Sequence, residues 1–213
     1  MQVEVWSDVV CPWCYLGRTH LRQALDSLDF RDDVRVTYRS FELDPGAPTG
    51  LTTATDDLLA AKYGMTPEQA RQAQQRMEQR AAAEGLTFRM GRLRSGNTRA
   101  AHRLLHLARE SGRQEEVAEA LHRAYFTDQR DVYAPESLSA IATEAGLAAG
   151  EVREVLAGDR YEDAVEADER LARELGATGV PFFVVDRRFG VSGAQPAPVL
   201  ADVLRRARGR IVA

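Results

Sequence analysis

Cysteine is scarce in this 213-residue chain: there are two, Cys11 and Cys14, and they stand three positions apart. That excludes a fold stapled by several disulfides. No other thiol in the chain competes for either one. Lysine is scarcer still. Lys62 is the only one, and every other basic residue is arginine, a bias that reads as GC-rich codon usage rather than phosphate chemistry. Neither sign of charge dominates. The 28 basic and 32 acidic side chains leave a net charge of −4, which argues against nucleic acid or a membrane surface as the main partner. The basic tail Arg205-Arg206-Ala207-Arg208-Gly209-Arg210 reads as cations matched to a helix C-terminus. No apolar run approaches membrane-spanning length. The start, Met1-Gln2-Val3-Glu4-Val5-Trp6-Ser7-Asp8, has no basic region and no long apolar stretch, so a cytoplasmic protein is expected. In a reducing compartment a cysteine pair is more often catalytic than structural.

What is present is Cys11-Pro12-Trp13-Cys14, directly after the strand-like run Val3-Glu4-Val5-Trp6 and opening a helical pattern that begins at Tyr15. The first turn of a helix has amides without intrahelical partners. They and the macrodipole favour a thiolate at Cys11. Pro12 suits the first helical position, where its missing N–H would be unpaired anyway. Cys14 is then placed to attack a mixed disulfide formed at Cys11. Cys11 is read as nucleophile and Cys14 as resolving thiol. A zinc site is the rival use of two cysteines. The remaining candidates, His102 and His106, stand at H-x3-H spacing but far outside finger spacing from the cysteines. No metal is expected.

A second strand fits 34–41, where Val34, Val36, Tyr38 and Ser40 share a face, so the first 41 residues read as a βαβ unit with a parallel pair. From about Thr55 to Leu175 the chain reads helical throughout, with Thr66 capping a helix that has Pro67 at its first position. Further helices fit 97–111, 114–127, 135–145, 151–156 and 161–175. Strand character returns over 182–186. Arg187-Arg188 forms a tight connection, 189–192 pairs back, and an amphipathic helix fits 197–208. The fold class is α/β: a four-stranded sheet with flanking helices, from residues 1–48 and 172–213, carrying an all-helical insertion over 49–171. That block could serve as a lid or support a homodimer.

Thr178-Gly179-Val180-Pro181 precedes the third strand. A trans proline there would simply end a loop. A cis bond would turn the Val180 backbone toward the cysteines, where an extended substrate could pair with it as an added strand.

Taken together, Ser7-Asp8-x-x-Cys11-Pro12-Trp13-Cys14-Tyr15-x-Gly17, Phe41-Glu42-Leu43-Asp44-Pro45, Asn97-Thr98-x-x-Ala101-His102, Tyr125-Phe126, Val180-Pro181 and Ser192-Gly193-Ala194-Gln195 resemble the DsbA family of the thioredoxin superfamily, and within it FrnE-like proteins. The resemblance spans nearly the whole chain. It implies a thioredoxin-like, DsbA-like fold, a dithiol–disulfide oxidoreductase or isomerase, a cis Val180–Pro181 bond, and Cys11 as the attacking sulfur. Its partners would be disulfide-containing proteins or small molecules, with glutathione or an equivalent small thiol as co-substrate and no tightly bound cofactor. Pro12 and Trp13 carry no charge, unlike the histidine between the cysteines of DsbA itself, so a less oxidising potential is expected. Trp13 either offers substrate an apolar contact or packs over the helix end.

Kappa-class glutathione transferases and 2-hydroxychromene-2-carboxylate isomerases resemble the same layout, with a serine at the helix start. They define the enzymatic alternative, a glutathione-dependent isomerase or transferase in which Asn97 and Gln195 bind the thiol. The ordinary role of Asn97 and Gln195 is helix capping. A thioredoxin-fold binding protein without turnover is the third possibility.

Overall fold

The computed structural model describes residues 1–50 and 52–209; Arg210 of the basic tail lies outside them. The chain divides into two compact units, Met1–Leu43 together with the residues from Glu162 on, and Asp44–Tyr161.

The first unit is built on a mixed sheet. Strand β1 (Gln2–Ser7) is followed by helix α1 (Pro12–Asp26) and strand β2 (Arg35–Ser40). β1 and β2 run parallel, with Val3 opposite Val36 and Ser7 opposite Ser40. This is the βαβ unit that the early alternation predicts. Helix α8 (Glu162–Glu174), strands β5 (Phe182–Val185) and β6 (Phe189–Ser192) and helix α9 (Ala197–Gly209) complete it. The strand order is β2-β1-β5-β6, with β5 antiparallel to both neighbours. Alternation along β1 divides the core. Trp6 packs with Phe182, Val184 and Ala172 of α8, while the neighbouring positions Val5 and Phe183 point to the other face, where α1 packs against α9.

The helical unit contains α2 (Thr55–Tyr63), α3 (Pro67–Ala83), α4 (Arg99–Glu110), α5 (Gln114–Phe126), α6 (Pro135–Glu144) and α7 (Ala149–Ala157). Thr66 forms a full capping box with Gln69 at the start of α3. Gly112 and Gly146, with φ of 67° and 97°, end α4 and α6 in left-handed turns.

Three details differ from the sequence expectation. The region from Thr55 on is not helical throughout: the ribbon of β3 (Thr53–Ala54) with β4 (Arg94–Ser95) brings a strand into it, and two-residue strands are too short to show alternation. The second boundary between units falls at 161/162 rather than 171/172. Helix α8 belongs with the sheet because Val165, Asp168 and Ala172 are buried there, and the first boundary falls at 43/44 rather than 48/49. Finally, the β5–β6 turn is centred on Asp186 and Arg187, at φ of 47° and 52°, one residue earlier than Arg187-Arg188. The Arg188 amide closes it onto the Val185 carbonyl at 3.0 Å. Two consecutive positive φ values give a tight turn whose twist matches the flanking strands.

Candidate active site

After β1 ends at Ser7 the chain turns through Asp8, Val9 and Val10 into α1. The Cys11 amide donates to the Asp8 carbonyl at 3.2 Å and closes that turn. Cys11 caps α1 in an extended conformation, and Pro12 occupies the first helical position. The Cys11 carbonyl accepts from the amides of Cys14 at 3.0 Å and Tyr15 at 3.3 Å. The local sequence therefore puts one thiol at the mouth of the helix and the other in its first turn.

The two sulfurs are in different surroundings. Cys11 is 4% exposed and Cys14 1%. Cys11 Sγ lies 3.7 Å from the Val180 carbonyl oxygen. The Cys14 thiol hydrogen-bonds to Cys11, while the Ser7 hydroxyl and the Asp8 amide donate to the Cys14 sulfur. Burial, followed by the hydrogen bond to Cys11 and the charge Cys11 can carry, pushes the Cys14 thiol well above the ordinary range, against the opposing effect of those two donors.

The facing wall is the segment before β5. The Val180–Pro181 bond is cis, and Pro181 is buried. Helix α1 approaches it through Gly17, where a Cβ would lie 2.8 Å from Pro181 Cγ and 3.2 Å from Phe183 Cζ. The Pro181 carbonyl accepts from the Gly193 amide at 2.8 Å. Gln195 follows in the same loop. Its side-chain amide donates to the Ser192 carbonyl at 2.9 Å, and its carbonyl lies 2.9 Å from His20 Nδ1 of α1. Gln195 thus fixes the loop tied to Pro181. Trp13 is 40% exposed, as is Leu43. The Leu43 amide donates to Asp8 Oδ2 at 2.8 Å, which links it to the residue that also positions Cys11.

Cys11, Cys14, Pro12, Trp13, Val180, Pro181 and Gln195 belong to the sheet unit; Asn97 belongs to the helical unit. Asn97 Nδ2 donates to the Ala47 carbonyl at 3.1 Å, and Oδ1 accepts from the Arg99 amide at 3.0 Å, opening α4. The N-cap of α4 is Thr98, so Asn97 is not the cap its residue type suggests; it precedes the cap and closes a turn onto Arg99. His102, His106 and His122 are buried in the same unit. Among the described residues no group of three or more His, Cys, Asp or Glu is placed to hold a metal ion.

Gly17 and Ser7 are the site residues that sequence patterning does not single out. A glycine inside a helical pattern is the available signal for Gly17, since it costs about 1 kcal/mol against alanine and calls for a packing reason. Nothing in the sequence pairs Ser7 with Cys14.

The DSBA-like thioredoxin domain family matches residues 2–205. The crystal structure of a probable DsbA oxidoreductase from Streptomyces coelicolor is similar at a TM-score of 0.94 and 50% identity, over 98% of this chain and 90% of that one. A 2-hydroxychromene-2-carboxylate isomerase superposes with a TM-score of 0.69 at 15% identity, over 100% of this chain and 96% of that one. The cytosolic disulfide reductase DsbM from Pseudomonas aeruginosa, solved with GSH, superposes at 0.67 and 18% identity, over 98% and 100%. The last two show a shared fold only. Among the described residues no helix is long and apolar enough to cross a membrane.

Proposed function

Because this chain belongs to the DSBA-like thioredoxin domain family, whose members act as thiol oxidoreductases, we propose that it is a dithiol–disulfide oxidoreductase or isomerase working through Cys11 and Cys14, in the FrnE-like branch and in the cytoplasm. The observation that carries this reading is the placement of the pair: Cys14 is enclosed in the first turn of α1, while Cys11 caps the helix beside the Val180 carbonyl.

The Cys11 thiolate attacks one sulfur of a substrate disulfide. A Cys11–substrate disulfide forms, and the other sulfur leaves as a thiolate and takes a proton. Cys14 then gives up its proton and attacks Cys11 Sγ. The Cys11–Cys14 bond forms, and the second substrate sulfur leaves as a thiol. Two electrons pass from the protein dithiol to the substrate disulfide; the reverse sequence oxidises a substrate dithiol. Val180 and Pro181 form one wall of the groove, where an extended substrate can pair with backbone. Pro12 and Trp13 shape the other side. A disulfide-bearing protein or small molecule is the substrate, and a small thiol of the glutathione type recycles the pair.

Equilibrating the protein against defined thiol/disulfide buffers and reading alkylated mass tests this. One reversible two-electron transition is expected, lost in both Cys11→Ser and Cys14→Ser, with Cys14→Ser accumulating a mixed disulfide at Cys11. If the wild type stops at a glutathione adduct and never closes the pair, the chemistry is small-thiol conjugation or isomerisation, with Asn97 and Gln195 as candidate thiol-binding residues. Partner binding that survives loss of both thiols would favour a non-enzymatic role.

A further inference from the structure

Helix α1 carries both cysteines, and it meets the Val180–Pro181 wall at more than one height. At its mouth Cys11 Sγ stands 3.7 Å from the Val180 carbonyl oxygen. Further along, Gly17 lies so close to the Pro181 ring that a Cβ there would come within 2.8 Å of Cγ. His20 follows three residues later, on the same face of the helix. It is half-buried, and its Nδ1 lies 2.9 Å from the Gln195 carbonyl oxygen. A carbonyl oxygen can only accept, so His20 carries a proton on Nδ1 and donates it. Gln195 closes a loop, 192–195, that is folded on itself. Its amide donates to the Gly193 carbonyl at 2.8 Å, and its side chain to the Ser192 carbonyl at 2.9 Å. The Gly193 amide, at a φ of 79°, donates to the Pro181 carbonyl at 2.8 Å. His20 therefore fastens the loop that holds Pro181 to the helix that bears the cysteines.

We propose that His20 is a positioning residue for substrate engagement: by holding the Gln195 carbonyl it fixes the loop 192–195, and through it the Pro181 wall, where an extended substrate can pair with the Val180 backbone beside Cys11. The inference rests on the oxidoreductase reading above. His20 has no part in the sulfur chemistry. At a rise of 1.5 Å per residue it stands about 13 Å along the helix axis from Cys11. In the attack step the Cys11 thiolate bonds to one substrate sulfur, the substrate S–S bond breaks, and the departing thiolate takes a proton from water. None of this calls on the imidazole. What depends on His20 is where the substrate backbone lies when the sulfurs meet, and a misplacement of about 1 Å from a contact remote from the chemistry is costly in rate. A substrate held along its backbone feels the wall. A small disulfide that meets Cys11 alone does not. The donor matters rather than the ring, and an asparagine amide can offer the same N–H to the same carbonyl.

Attack rates on two disulfides test this, one joining two extended peptides and one a small aromatic disulfide. A Cys14→Ser background isolates attack, read from release of the first thiol. His20→Leu should slow attack on the peptide disulfide roughly threefold to tenfold, the loss expected for one neutral hydrogen bond, and leave the small disulfide unchanged. His20→Asn should recover most of the peptide rate. An unchanged peptide rate in His20→Leu overturns the proposal. So does an equal fall on both disulfides with a lower thermal midpoint, which would make His20 a packing residue, and so does His20→Asn as slow as His20→Leu. These three outcomes leave the oxidoreductase reading standing. Release of only the first thiol by the protein with both cysteines removes that reading, and this inference with it, whatever the His20 variants do.

Discussion

A methyl group on Gly17 would sit 2.8 Å from Pro181 Cγ and 3.3 Å from Pro181 Cβ, and a proline ring has no flexible end to swing aside. Alanine is the better helix former by about 1 kcal/mol, but overpacking a tight contact costs roughly 1–3 kcal/mol. Gly17→Ala should therefore lower stability by about 1 kcal/mol and also displace the wall that holds the Val180 carbonyl 3.7 Å from Cys11 Sγ. The expected outcome is a lower thermal midpoint together with slower reaction at Cys11. Unchanged reactivity would mean that α1 and Pro181 separate without disturbing Val180. The cysteines could be read from the sequence because their chemistry is local: a thiol at a helix start needs no distant partner to be noticed. Gly17 and Ser7 act through Pro181 and Cys14, contacts that exist only after folding, and no period or spacing encodes them. The capping expectation for Asn97 and Gln195 is not met: Asn97 precedes the N-cap Thr98 and also reaches the Ala47 carbonyl, and the Gln195 side chain turns back to the Ser192 carbonyl rather than onto the last helix.

At the scale of elements, one charged cluster ties strands and helix together. Glu4 of β1, 4% exposed, accepts from Arg39 of β2 at 2.7 and 3.0 Å and from Arg187 of the β5–β6 turn at 3.0 and 3.3 Å. Arg39 also reaches Asp168 of α8 at 2.9 Å, and Trp6 Nε1 donates to the Asp168 carbonyl at 2.8 Å. Burial raises the Glu4 carboxyl, but hydrogen bonds and charge from Arg187 and Arg39 outweigh it, so the group lies below its ordinary 4.5. A depressed carboxylate contributes stability that is present above its unfolded value and lost as pH falls through the folded one. Glu4→Gln should thus cost about 2 kcal/mol near neutrality and flatten the decline of stability below about pH 4.5. Denaturant melts of both proteins across the acid range check this; parallel curves would remove Glu4 from the acid response. The strands were legible from their alternation, but the ownership of α8 was not. Its apolar positions fit either unit in the sequence, and it is the packing of Ala172 with Trp6 and Phe182 and the contacts of Asp168 with Arg39 and Ser40 that place it on the sheet.

The whole molecule folds around a long detour. β1 and β5 are neighbours in the sheet, with Val3 opposite Val185 and Trp6 opposite Phe182, yet the entire helical unit lies between them in the chain. Sequence patterning could find each strand and group the two ends of the chain into one four-stranded sheet, but it had no local signal for which strands pair across such a separation. The same separation governs order of assembly. Closing so long a loop is entropically unfavourable before any contact compensates it, and non-local pairing slows folding. The helical unit faces no such delay. α4 and α5 pack as sequence neighbours joined by a turn in which the Arg113 amide reaches the Ala108 carbonyl at 2.7 Å, and α5 and α6 are likewise consecutive partners. Refolding of the reduced protein should therefore protect the amides of α4 and α5 first, with those of β1 and β5 following together because each is the other's hydrogen-bond partner. Pulsed hydrogen exchange read by mass spectrometry resolves the two sets. Early protection of Val5 and Phe183, before Leu104 and Leu121, would show that β1–β5 pairing forms without a preassembled helical unit, and would transfer the nucleus to the sheet. The expected order also bears on the chemistry. Cys11 and Cys14 need only α1 to come within reach of each other, but the Val180 wall cannot face them until β5 docks, so full reactivity should appear only with the late phase.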